Sequence, residues 1–215
     1  MEKYLREPIN GLTHLIGAIL SLIGLIAMII KVNIINGNLI DYIAIFLFGI
    51  SMILLYSASA TYHSVISNDS VIKILKKIDH SMIFVLIAGS YAPLCLITLG
   101  NSTGYTLFSA VAIAGLIGII FKICWVTCPK WISSFIYIGV GWFAIFAIYP
   151  LSKVLATPGL ILLVLGGILY TIGGVIYALK SKKIRIGCFG GHEIFHIFIM
   201  LGTLCHYACV FNYVL

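Results

Sequence analysis

Long stretches without charged side chains set the strongest limit on how this chain can fold. The final stretch, residues 186–215, contains a single charged residue, Glu193. Hydrophobic residues make up 62% of the sequence and charged residues only 9%, whereas soluble domains carry about 25% charged residues. The composition therefore indicates a protein that lies in a lipid bilayer. The stretches that contain no Lys, Arg, Asp or Glu are residues 8–30, 42–68, 80–121, 131–152 and 154–179.

The uncharged stretches divide into seven membrane-spanning helices. A helix needs about 20 apolar residues to cross the bilayer, so each stretch holds one crossing except 80–121, which is long enough for two. The run LGNSTG at 99–104 divides it, because Gly, Asn and Ser cluster in turns. Helices are favoured over strands, since long apolar segments in lipid must satisfy their backbone polar groups internally. We predict an all-α bundle that forms one membrane domain over residues 1–215, with helices at 9–30, 41–66, 79–99, 104–122, 131–149, 158–179 and 192–213.

The distribution of basic residues predicts the orientation of the bundle. Cytoplasmic ends of membrane helices carry an excess of Lys and Arg. Eleven basic residues fall on the side that the N-terminus shares with the loops after the second, fourth and sixth helices, and only Lys31 and Lys153 fall on the other. We therefore expect the N-terminus in the cytoplasm and the C-terminus outside. The eleven residues, interpreted as anchors and topology signals, are Lys3, Arg6, Lys73, Lys76, Lys77, Lys122, Lys130, Lys180, Lys182, Lys183 and Arg185.

The same topology explains the net charge of +7. Basic residues at the inner face are attracted to an anionic leaflet, so the charge indicates a cell-membrane protein with lipid partners and does not indicate a nucleic-acid partner.

The first apolar run is too long for the hydrophobic region of a signal peptide, and we expect it to remain as a helix. The six cysteines are expected to be inert buried or reduced thiols rather than disulfides.

Two features bear on the geometry of individual helices. In the sixth predicted helix, Gly166 and Gly173 recur seven residues apart, as do Gly167 and Gly174. Small residues on one face permit two membrane helices to approach closely. Pro93 is predicted to bend the third helix.

Histidines that are far apart in sequence fall at one depth once the helices are oriented. His63 lies near the end of the second helix, and His192 and His196 lie in the first turns of the seventh. His192 and His196 are four residues apart, as are Ser59 and His63, so each pair lies on one helix face. Two imidazoles at this spacing can hold one ion, and a third completes three protein ligands with an open fourth position, as in catalytic zinc sites. We predict that His63, His192 and His196 bind a zinc ion near the cytoplasmic face.

Other polar residues are predicted at the same level. Asp79, placed at the start of the third helix, is expected to accept a hydrogen bond from an attacking water or to orient a ligand histidine; the alternative is that it only complements the helix dipole. Ser59 is either a partner of that water or a helix-packing serine. His14, His80 and His206 are interpreted as hydrogen-bonded or packing residues.

Two other metal-binding patterns compete with this interpretation. The segment HEIFH at 192–196 satisfies H-E-x-x-H, the metalloprotease signature in which the glutamate is the general base. We favour Glu193 as a first-turn acid stabilised by the helix dipole, since nothing else in the sequence indicates an intramembrane protease. The second pattern is the set Cys205, His206 and Cys209, which lies about 15 Å deeper than the histidine pair.

Six segments keep the order and spacing of a known family. They are EPINGLTH at 7–14, SATYH at 59–63, DHSMIF at 79–84, IAGSYAP at 87–93, GHEIFH at 191–196 and LCHY at 204–207. Together they resemble the bacterial hemolysin III family, which belongs with the progestin and adiponectin receptors and more distantly with alkaline ceramidases. The resemblance covers essentially the whole chain. It implies a seven-helix bundle with one zinc near the cytoplasmic side, held by His63, His192 and His196, with Asp79 and Ser59 around the attacking water.

The resemblance points to two activities. The receptor and ceramidase relatives indicate hydrolysis of lipid amides, whereas the bacterial name indicates haemolysis. Our first hypothesis is a zinc-dependent membrane hydrolase of lipid amides or esters, in which Asp79 receives a proton and Ser59 hydrogen-bonds the water or the developing oxyanion. The alternatives are a membrane-perturbing or channel-like protein with structural zinc, and a receptor-like regulator of lipid homeostasis. A retinal-type pump is disfavoured, because the seventh helix contains no lysine.

Overall fold

Seven helices of membrane-spanning length form the part of the molecule that the structure describes. The computed structural model describes residues 5–179, 184–187 and 189–215. Within these residues the helices long and apolar enough to cross a membrane are Pro8–Ile34, Leu39–Ser64, Asp69–Leu99, Ser102–Cys124, Lys130–Val154, Thr157–Leu179 and Gly191–Val214. The predicted seven-helix bundle is confirmed, and its orientation in the membrane stays a prediction. Four of the basic residues named above, Lys3, Lys180, Lys182 and Lys183, and one of the six cysteines, Cys188, lie outside the described residues.

Three of the spans change helix type along their length. The third and seventh spans end in segments with i to i+5 hydrogen bonds, Pro93–Leu99 and Val210–Val214, and the fifth span contains a 3₁₀ segment, Trp142–Ala147. The change at Pro93 coincides with the predicted bend, because proline cannot donate the hydrogen bond of a regular α-helix. The α-helices are α1 Pro8–Ile34, α2 Leu39–Ser64, α3 Asp69–Ala92, α4 Ser102–Cys124, α5 Lys130–Gly141, α6 Ile148–Val154, α7 Thr157–Leu179 and α8 Gly191–Cys209; a short antiparallel hairpin, β1 Arg185–Ile186 and β2 Phe189–Gly190, precedes α8.

Helix α3 begins earlier than predicted, at Asp69 instead of residue 79. Asn68 caps it, since its side chain accepts a hydrogen bond of 3.0 Å from the Val71 N–H. The basic residues that follow do not end the helix, because a helix can continue from the apolar core into the headgroup region. Asp79 therefore lies about 15 Å inside α3. Its interpretation as an acid at the helix start is wrong, since the dipole effect falls off within the first turn.

The helices pack in sequence-adjacent pairs. Helix α1 packs on α2, α2 on α3, and α7 on α8. The glycines of α7 make the last of these contacts: Gly166 lies against His206 and the backbone of Gly202, and Gly173 lies against Phe198. This close approach confirms the predicted packing for Gly166 and Gly173, whereas Gly167 and Gly174 face Trp142 and Ile138 of the fifth span. At the interface between α1 and α2, Phe48 is fully buried in the hydrophobic core.

Lys122, at the end of α4, is buried rather than solvated. Its side chain is only 1% exposed, because residues 125–129 and the start of α5 cover it. Its ammonium group donates hydrogen bonds to the Cys128 Sγ atom, at 3.2 Å, and to the Ser133 hydroxyl. The burial of its ammonium group contradicts its interpretation as an anchor, and its contribution to the topology stays a prediction.

Candidate metal centre

The three predicted ligands meet at the face of the bundle where α1 begins, which we call the N-terminal face. His63 lies in the last turn of α2, and His192 and His196 lie in the first turns of α8. One ring nitrogen of each histidine lies within 4.8 Å of a ring nitrogen of the other two. His63 and His196 are buried and His192 is half-buried. The structure thus brings together a group that could hold one metal ion.

Unpartnered ring nitrogens support this assignment. The Nε2 atoms of His63 and His192 lie 3.4 Å apart. The Nδ1 atoms of His192 and His196 are buried without a hydrogen-bond partner, although buried polar atoms are almost always paired. Neutral imidazole is a preferred ligand of zinc, and three protein ligands leave a fourth position open. The donor set and the orphaned nitrogens therefore fit a zinc ion.

Ser59 and Asp79 lie beside the three histidines in an internal cavity. Both side chains are buried, and both line the cavity together with His192 and His196. The cavity continues along α8 as far as His206, a distance of about 21 Å at 1.5 Å per helical residue. Its wall is largely apolar, with side chains that include Leu55, Ile83, Leu86, Ile87, Ile138, Phe195 and Ile199.

Glu7 is a residue of the site that the sequence interpretation missed. Its Oε2 atom accepts a hydrogen bond of 2.8 Å from His63 Nδ1. This hydrogen bond lowers the pKa of the Glu7 carboxyl to about 2, although burial acts in the opposite direction. Glu7 stood out in the sequence only as the first residue of a family segment. The sequence feature that could have indicated Glu7 is its position: an acidic residue directly before α1, at the depth predicted for the histidines.

Asn10 joins Glu7 to the start of α8. Its Nδ2 atom donates to Glu7 Oε2, at 2.9 Å, and to Glu193 Oε1, at 3.2 Å. The second oxygen of Glu193 accepts a hydrogen bond of 2.9 Å from the Gly190 N–H, as expected for a first-turn acid. Glu193 is held by these two contacts and does not line the cavity that His192 and His196 line, which disfavours the general-base role of the metalloprotease signature.

His14 lies against the three-histidine group but outside it. Its ring stacks on that of His196, with centroids 3.7 Å apart and planes inclined by 11°. Both of its ring nitrogens are buried without a hydrogen-bond partner. It also lines the cavity, so it packs beside the group with two unpaired ring nitrogens.

The other two histidines, buried His80 and half-buried His206, have hydrogen-bond partners, as the sequence interpretation expected. His80 Nδ1 donates to the Lys76 carbonyl oxygen at 2.8 Å, and its Nε2 lies 3.2 Å from the Tyr177 hydroxyl. His206 Nε2 donates to the Leu163 carbonyl oxygen at 3.3 Å. Among the described residues, the Cys205, His206 and Cys209 set forms no ligand group.

A seven-helix bundle with a buried three-histidine group at one face defines a multi-pass integral membrane protein with a candidate metal centre. The sequence matches the haemolysin-III related family over residues 2–207, and the chain belongs to that family. It is 39% identical to Hemolysin-3 of Bacillus cereus over 216 residues, which cover 100% of this chain and 95% of the relative. It is also 39% identical to a Hemolysin-3 homolog of Bacillus subtilis (strain 168) over 208 residues, which cover 96% of this chain and 93% of the relative. The chain is therefore a hemolysin III-like protein of the cell membrane.

Proposed function

We propose that this protein is a zinc-dependent hydrolase of lipid amides or esters, with zinc held by His63, His192 and His196. The observation that carries the proposal is the convergence of these three imidazoles at one end of an apolar cavity that His192, His196, Asp79 and Ser59 line. Zinc held by three imidazoles lowers the pKa of water towards ~7 and polarises a carbonyl group. Both effects would promote hydrolysis at the scissile bond of a lipid amide or ester.

The two remaining polar groups have complementary roles in this mechanism. The Asp79 carboxylate takes a proton from the attacking water and returns it to the leaving amine or alcohol. The Ser59 hydroxyl donates a hydrogen bond to the oxyanion that develops on the substrate carbonyl. Both groups are buried, and a water-poor environment makes such interactions stronger than they are in bulk solvent.

The position of the site favours a membrane lipid as substrate. The three-histidine group lies at the N-terminal face, which the charge distribution predicts to be cytoplasmic. A polar headgroup can rest at this level, while its acyl chain lies in the cavity along α8. The apolar side chains of that cavity match the chain chemically.

Metal content tests the proposed site directly. We expect one zinc per chain in detergent-purified wild-type protein and none in His63→Ala or His196→Ala, because each variant removes a ligand. Elemental analysis gives the stoichiometry, and the matched control is His206→Ala, which changes a half-buried histidine of α8 outside the group and should keep its zinc. Wild-type protein that contains no zinc, when prepared without chelators, would rule out the mechanism.

Turnover tests the proposed reaction. In liposomes that contain a fluorescent ceramide, the metal-loaded wild type should release fatty acid and metal-free His196→Ala should not. Release by the metal-free variant at the wild-type rate would show that the reaction does not use this site.

A second candidate function comes from the names of the relatives. One is named Hemolysin-3 and the other a Hemolysin-3 homolog, which favours a membrane-perturbing or channel-like protein in which zinc is structural. Conductance of purified protein in liposomes distinguishes the two candidates. Conductance that persists in His196→Ala supports the channel-like function. Wild-type protein that shows no conductance counts against the channel-like function.

A further inference from the structure

Glu7 contacts His63 through both its backbone and its side chain. The Glu7 N–H donates to the His63 carbonyl oxygen at 2.9 Å, and the Glu7 carboxylate accepts from His63 Nδ1 at 2.8 Å. The two residues are 56 positions apart in the chain. Arg6 supports the pair, since its guanidinium group donates to the Tyr62 carbonyl oxygen and lies 3.8 Å from the other Glu7 oxygen. The segment before α1 is thereby attached to the end of α2.

This contact determines how the His63 ring is presented. A carboxylate can only accept the hydrogen bond, so Nδ1 carries the proton and the lone pair lies on Nε2. Nε2 is the atom that faces His192, at 3.4 Å. A carboxylate behind a ligating histidine fixes its tautomer and orientation and raises its basicity. In the part of the chain that the structure describes, Glu7 is the one carboxylate hydrogen-bonded to a histidine of the group.

Asn10 extends the contact to the helix that carries the other two histidines. This buried amide joins Glu7 to Glu193, and Glu193 in turn holds the first turn of α8 through Gly190. Helix α1 carries none of the three proposed ligands. Its first turn nevertheless connects the end of α2 with the start of α8.

We infer that Glu7 is a positioning residue of the metal centre, which orients His63 directly and fixes α8 through Asn10. The inference rests on the proposed function, since it assigns an outer partner to the proposed divalent-cation site. Affinity for the metal then depends on a side chain that is not a ligand.

Zinc titration of metal-free, detergent-solubilised full-length protein tests the inference, with a fluorescent chelator as competitor. Glu7→Gln should bind zinc about 10- to 100-fold more weakly than wild type. Asn10→Ala, which keeps Glu7 but removes the bridge, should show a smaller loss. The matched control is Asp69→Asn, an exposed first-turn acid at the same face, which should bind like wild type.

Cobalt provides a readout that a merely structural role would not change. We expect the visible absorption bands of bound Co²⁺ to shift in Glu7→Gln, because the ligand strength of His63 changes, and to stay unchanged in Asp69→Asn. Only the monodisperse fraction is measured, so that misfolded protein does not contribute. Equal zinc affinity and identical cobalt spectra in wild type and Glu7→Gln would overturn the inference alone. No zinc binding by the wild type would overturn the proposed function together with it.

Discussion

Among the described residues, Asp79 is the one acid that lies more than a turn inside a membrane span. An ionisable side chain in this position is costly to bury, and such residues commonly serve function. Asp79 lines the cavity together with Ser59 and two of the three proposed ligands, His192 and His196. A side chain that only completed the helix dipole would lie in the first turn of α3, so the position of Asp79 favours a chemical role.

Replacing Asp79 with Asn should separate chemistry from metal binding. We expect Asp79→Asn to keep its zinc, because it alters none of the three histidines, and to lose about 100-fold or more in turnover, the usual contribution of a general base. Turnover of a fluorescent lipid amide and zinc content are measured on the same preparation. Wild-type turnover in this variant would remove Asp79 from the mechanism.

At the scale of elements, Lys122 links α4 to the turn and helix that follow. Its buried ammonium has a thiol and a hydroxyl as hydrogen-bond partners, and it lies 5.6 Å from the ring centre of Tyr137. Ser133 belongs to α5, so this cluster joins the two helices at the N-terminal face. A buried cation depends on each of its partners, because solvent cannot replace one that is lost.

Ser133→Ala should therefore destabilise the protein. Removing the hydroxyl leaves part of a buried cation unsatisfied, which costs about 1–3 kcal/mol, and each kcal/mol lowers the Tm of a chain of this size by about 2–4 °C. The neighbouring Ser134 is also buried but its hydroxyl has no partner, so Ser134→Ala should leave the Tm nearly unchanged. Thermal unfolding in detergent measures both, and equal shifts would contradict the assigned role.

At the scale of the whole molecule, the cavity connects the candidate metal centre with the interior of the bundle. Gly167 of α7 lines it, and a Cβ atom built there would lie in ordinary contact with Trp142. A longer side chain at this position would extend into the cavity. The cavity can therefore be narrowed far from the metal centre.

Gly167→Leu should reduce turnover of long-chain substrates without loss of zinc. In the proposed complex the leucine side chain and the acyl chain of the substrate compete for the same part of the cavity. Forcing extra atoms into filled space costs about 1–3 kcal/mol, and each 1.4 kcal/mol lowers the affinity for the substrate about tenfold. Gly139→Leu is the control, since an added Cβ there meets nothing within 4 Å and the residue does not line the cavity. Kinetics with long-chain and short-chain amides test the prediction, and unaltered long-chain turnover in Gly167→Leu would exclude the cavity as the acyl site.

The sequence was sufficient to predict the spans and the meeting of the three histidines. Apolar length determines a crossing, and the i, i+4 spacing of His192 and His196 determines a shared face. The start of α3 could not be predicted from charge, because a helix continues past the apolar core. The contact of Glu7 with His63 could not be predicted either, since it joins segments distant in sequence through side chains whose direction only the folded bundle sets.

The separation of the ligands along the chain has a consequence for biosynthesis. His63 and His192 are 129 positions apart, so at typical synthesis rates His63 leaves the ribosome roughly 6–26 s before His192. Glu7 and His63 can pair during that interval, whereas the three imidazoles cannot meet until α8 is in the bilayer. The candidate metal centre is therefore incomplete while the first six spans are being inserted, and in the proposed function metal loading is a late step of assembly.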